Sequence, residues 1–187
     1  MAMHLFWEFG YEAISVAQLQ KELGGLSAAS FYAAFGSKQS LFEEAMSLYM
    51  ATCGDIVAPL KDPDVSPREA MGKTLRHAVE VQAGTSHPKG CMAVLAGTNL
   101  SAKNREILKM VERARAETRD AIAHCINRAV ENHELSKKID REALVVLFDT
   151  FIKGIAIQTR DGISTKALLS SVEILMMTWE SLEPGRT

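Results

Sequence analysis

The chain has 187 residues, 47% of them hydrophobic and 24% charged, with a formal net charge of −2. That balance supports a packed core, excludes wholesale disorder, and excludes a polyanion binder that works by bulk charge. Cys53, Cys91 and Cys125 form an odd, widely spaced set, which suits reduced thiols in a cytoplasmic protein better than a disulfide framework. No stretch is apolar over the roughly 20 residues that a membrane span needs.

The predicted elements are all helices, because apolar residues recur every three or four positions and no alternating strand pattern is present. Residues 2–10 predict a helix with Leu5, Phe6 and Phe9 on one face, stopped by Gly10. Ser15 and Gln18 form a capping box for a second helix with Val16, Leu19 and Leu23 inward, ended by Gly24 and Gly25. Ser27 caps a third helix, with Phe31 and Phe35 four apart and Gly36 at its end. Ser37 caps a fourth, with Leu41, Phe42, Ala45, Met46 and Tyr49 inward.

Pro59, Pro63 and Pro67 mark a break, so the chain is expected to divide into residues 1–50 and residues 51–187. Ser66-Pro67-Arg68-Glu69 starts a helix reaching about Ala83. A loop over 84–90, a short helix from Cys91 and a long helix opened by Ser101 follow. Asp140 caps a helix that is apolar nearly all round from Ala143 to Ile157, and Ser164 caps the last one. A helix apolar on every side must be covered on every side. Few helices remain to cover it, so a homodimer through residues 141–159 and 165–180 is expected.

The run Leu5-Phe6-Trp7-Glu8-Phe9-Gly10-Tyr11, then Ser27 to Phe35-Gly36-Ser37-Lys38 and Leu41-Phe42, resembles the DNA-binding domain of the TetR family of bacterial transcriptional regulators. Gly90-Cys91-Met92 and Gln158-Thr159-Arg160-Asp161-Gly162 are similar to ligand-binding domains in one branch of that family. The resemblance implies an N-terminal helix-turn-helix, homeodomain-like and built of three helices, and a C-terminal helical domain for ligand binding and dimerisation. It implies a homodimeric regulator, usually a repressor, that grips a double-stranded DNA operator and is released by a small-molecule effector. It further implies residues ahead of Met1 completing the first helix, which is expected to be truncated here.

Residues 27–34 would be the recognition helix. They include no Arg, Asn or Gln, so bidentate reading of guanine or adenine is not available from them. Ser27 and Ser30 can donate to base edges or phosphates, and the methyls of Ala28 and Ala29 can touch thymine methyls. Tyr32 matches the family's phosphate-contacting aromatic. Lys38, in the first turn of the next helix, is placed to share a phosphate with free backbone N–H groups. Gln18 lies on the helix that should cross the DNA backbone. Residues 1–50 nonetheless hold two basic side chains, Lys21 and Lys38, against five acidic ones. That balance motivates an alternative: a helical dimer that binds a small molecule and has lost DNA binding.

Effector candidates expected to face the interior of the second domain are His77, Met92, Leu95, Val111, Phe148, Phe151, Ile152, Gln158 and Trp179. Walls of Met, Phe and Trp suit an apolar or aromatic ligand. No metal and no cofactor is expected: His87 and Cys91 are separated by Pro88 and Gly90, with no matching ligand pair elsewhere. No nucleophile elbow, phosphate loop or paired carboxylates point to an enzyme.

Overall fold

The computed structural model describes residues 1–98 and 100–185. Among them the regular structure is helical: α1 (Ala2–Ala13), α2 (Val16–Glu22), α3 (Ala28–Phe35), α4 (Lys38–Met50), α5 (Ala58–Lys61), α6 (Pro67–Gln82), α7 (Met92–Leu95), α8 (Arg105–Glu131), α9 (Arg141–Arg160) and α10 (Thr165–Ser181). The predicted caps hold. Ser15, Ser27, Ser37, Ser66, Asp140 and Ser164 each accept a hydrogen bond from a backbone N–H three residues on, satisfying a donor that the first helical turn would leave orphaned.

Two compact units form. The first joins Met1–Asp55 to Thr85–Arg115. Its core places Phe6, Trp7, Tyr11, Leu19, Phe31, Phe42 and Tyr49 beside Met92, Ala96, Ile107 and Val111. The division by packing therefore differs from the sequence boundary near residue 50. Residues 85–115 supply apolar side chains that complete the N-terminal core, and burial rather than chain order decides membership.

Helix α1 runs past the expected stop at Gly10 and bends there. Gly10 has φ 77° and ψ 166°, a region open only to glycine. The bend turns Phe6, Trp7 and Tyr11 inward and leaves Phe9 58% exposed, correcting its expected inward position. Phe42 meets the Phe6 and Tyr11 rings edge-on at 5.1 and 5.2 Å, a favourable arrangement for aromatic quadrupoles.

The second unit joins Ile56–Gly84 to the chain from Ala116 onward. Helices α6 and α10 run antiparallel, as the ion pairs Arg68–Glu180 and Arg76–Glu173 require. The Arg128 guanidinium donates to the carbonyls of Leu60, Asp62, Pro63 and Val65, which fixes the segment after α5. Phe148, Ile152, Val172 and Trp179 fill the core. One side of α9 and α10 stays uncovered: Val146, Leu147, Ile157, Ile174 and Met177 are exposed. The all-round apolar character of α9 is thus only half used within the chain.

Candidate nucleic-acid interface

Helix α2 enters on the Ser15–Gln18 box. The Ser15 N–H donates to Gln18 Oε1 at 2.8 Å, and the Gln18 N–H donates to Ser15 Oγ at 3.2 Å. Gln18 Oε1 is therefore committed to the cap, and what Gln18 can offer DNA is its NH2 group. The turn to α3 passes through Gly24 (φ 101°) and Gly25 (φ 72°), where the Leu26 N–H closes onto the Gln20 carbonyl at 2.9 Å. Side chains with a Cβ rarely adopt these φ values.

Helix α3 hangs on one buried residue. Phe31 is fully buried, with Tyr32 and Phe35 edge-on to it at 5.5 and 5.3 Å. Ser27, Ala28, Ala29, Ser30, Tyr32, Ala33 and Ala34 are all exposed. Five of the seven predicted DNA contacts thus share one outward surface, and Tyr32 is 52% exposed. Gly36 (φ 69°) ends α3, and Ser37 starts α4 at once.

Lys38 opens α4, half-buried, with its ammonium 4.4 Å from the centre of the Tyr11 ring. Burial pulls its pKa down, and the nearby Glu12 carboxylate opposes that pull. Glu12 Oε2 accepts the Ser101 backbone N–H at 3.0 Å and the Asn104 amide at 2.7 Å. These donors, the Ser101 N–H first, hold the Glu12 carboxyl below its usual range. Sequence reasoning missed Tyr11 and Glu12. Their roles depend on the bend at Gly10, which spacing alone did not reveal.

The effector candidates do not assemble as expected. Met92 and Val111 are buried in the first unit's core, and Leu95 is half-buried at a cleft of that unit lined by Phe9, Tyr11 and Ala96, so the expectation that these three face the second domain is corrected. His77 and Gln158 are exposed, because each lies on the outer stripe of its helix. Phe148, Ile152 and Trp179 remain together in the second unit, with Phe148 and Trp179 rings 6.0 Å apart. Phe151 and Gln158 line an open cleft of about 330 Å3 between α9 and α10. Elsewhere in the first unit, Tyr49 Oη donates to Cys91 Sγ at 3.2 Å, and burial pushes the Cys91 thiol up.

A short helix, a glycine turn and an exposed second helix held by one aromatic anchor define a DNA-binding regulator of the helix-turn-helix class. Comparison with known proteins gives the family. Residues 1–45 match the bacterial regulatory proteins of the tetR family, and residues 68–168 match the tetracyclin repressor-like C-terminal domain. The chain belongs to the TetR family; it is a transcriptional regulator and not an enzyme. It is 25% identical over 182 residues to the HTH-type transcriptional repressor ComR of Escherichia coli, covering 97% of this chain and 86% of that protein. It is 32% identical over 90 residues to the repressor BdcR of the same organism, covering 48% of this chain and 45% of that protein. A cysteine-substituted CifR bound to 26-bp operator DNA superposes with a TM-score of 0.87 at 29% identity, covering 95% of this chain and 92% of that one.

Proposed function

We propose that the protein is a homodimeric repressor that binds a palindromic operator through paired α3 helices and is released by a small apolar or aromatic effector. Residues 1–50 form the DNA-binding domain, and residues 51–187 form the ligand-binding and dimerisation domain. The observation that carries this reading is the exposure of Ser27 to Ala34, interrupted only by the buried anchor Phe31. Ser27, Ala28, Ala29, Ser30 and Tyr32 face the bases and sugar–phosphate backbone, while Lys38 and the NH2 of Gln18 hold phosphates. The repressor relatives and the operator complex of CifR support it.

The uncovered residues of α9 and α10 support dimerisation through 141–159 and 165–180. Phe148, Phe151, Ile152, Gln158 and Trp179 remain the second unit's candidates for effector contact. Thr74 Oγ1, Gln82 Oε1 and Trp179 Nε1 are buried there with no hydrogen-bond partner among the described residues. Each such atom costs about 1–3 kcal/mol, which a ligand's own polar group would relieve. The site of action is the cytoplasm.

Fluorescence polarisation on labelled DNA flanking the protein's own gene, at low salt, tests the reading. Binding to one flanking segment over scrambled duplex is the expected result. Equal, weak binding to both would favour the acidic-balance alternative, a small-molecule-binding dimer without operator recognition.

A further inference from the structure

We propose that α3 reads its operator through the methyl groups of thymine, with Ala29 and Ala33 as the side chains that set sequence preference. The inference rests on the operator reading above and names the chemistry it uses.

From Ser27 to Phe35 the chain carries no Arg, Lys, Asn, Gln, Asp or Glu. The bidentate bonds that mark guanine and adenine are therefore unavailable from this helix. Its two serine hydroxyls are engaged with each other, which leaves Tyr32 as the other polar side chain of the exposed surface. Ser27 Oγ and Ser30 Oγ lie 2.9 Å apart, and Ser27 Oγ accepts the Ser30 N–H at 3.1 Å. The amide oxygen of Gln18, on the preceding helix, is held by its cap.

At the centre of the outward face what remains is methyl. Helical spacing puts residues 29 and 33 one turn apart on one face, opposite the buried Phe31, with Tyr32 and Ser30 on either side. Alanines there let the helix backbone approach the groove floor closely. The exposed apolar group on that floor is the thymine C5-methyl. Contact between two methyls removes both from water, and each buried CH2-sized group changes an equilibrium about fourfold.

The test uses the whole chain of 187 residues. An operator is first selected from a random-sequence duplex library, and its half-sites are located by footprinting. Each thymine in the protected half-sites is then replaced by deoxyuridine, symmetrically in both. Uracil keeps the base pair and the O4 acceptor and loses only the methyl group. The expected result is selected half-sites with thymines under α3, and a loss of affinity on the order of fifteenfold for a symmetric pair of replacements. Ala33→Gly should lose little further affinity on the uracil duplex, with circular dichroism confirming its fold. An operator whose affinity changes by less than about twofold on every uracil replacement would overturn the inference and leave operator recognition standing. No enrichment over the starting library would remove operator recognition, and this inference with it.

Discussion

The Lys38 ammonium lies over the face of the Tyr11 ring, 4.4 Å from its centre, so the cation at the start of α4 is seated before any DNA arrives. A lysine already held over a ring loses less rotamer freedom on meeting a phosphate. Lys38→Ala should weaken binding uniformly across sequences and reduce the slope of log affinity against log salt by about one unit. Titrations at several salt concentrations check this, and an unchanged slope would refute the phosphate contact.

Glu12 gives a pH dependence with a defined sign. Its carboxyl is held below the ordinary value of 4.5 by the Ser101 N–H and then by the Ser101 and Asn104 side chains. A carboxylate with a lowered folded pKa stabilises the fold above its ordinary value, and that contribution disappears as pH falls through the lowered one. Urea unfolding from about pH 5 to about pH 3 should therefore show a shallower acid decline in Glu12→Gln than in the parent chain. An identical decline would show that the contact contributes nothing to stability.

Gly10→Ala should destabilise the protein through backbone conformation alone. No atom lies within 4 Å of the added Cβ, but φ is 77° and ψ is 166°. Such a residue costs about 1–3 kcal/mol when it is not glycine. The shift in the urea midpoint at unchanged m-value measures it.

Ile174 is 68% and Met177 62% exposed on α10. On the proposed dimer interface, Ile174→Glu should shift sedimentation equilibrium from dimer to monomer, by placing a carboxylate on that apolar face. Operator affinity should fall with it, since a single α3 reads only one half-site. A dimer that persists in both Ile174→Glu and Met177→Glu would place the interface elsewhere.

Much of the fold was legible because helix starts carry local chemistry. The capping serines and Asp140 announce themselves within four residues, and Phe31 and Phe35, four apart, announce the inward face of α3. The four residues of α5 were read as a break, since Pro59 in so short a segment looks like a stop. The placement of 85–115 was not legible, because apolar spacing reveals which positions share a face and not which core that face enters. The same limit explains Met92 and Val111. His77 and Gln158 fell on exposed stripes because a polar residue between apolar ones reads equally well as a core residue or as its outer neighbour. On α3 the small and polar residue types around Phe31 were themselves the signal of exposure, and so the outward stretch from Ser27 to Ala34 was readable.

The uncharged face of α3 and the cation of Lys38 belong to different helices. On the proposed reading, grip and preference are separable traits: drift at positions 29 or 33 would retarget the regulator to a new promoter at constant salt response. Gene copies built on this arrangement are free to diverge in address without first losing their hold on the chromosome.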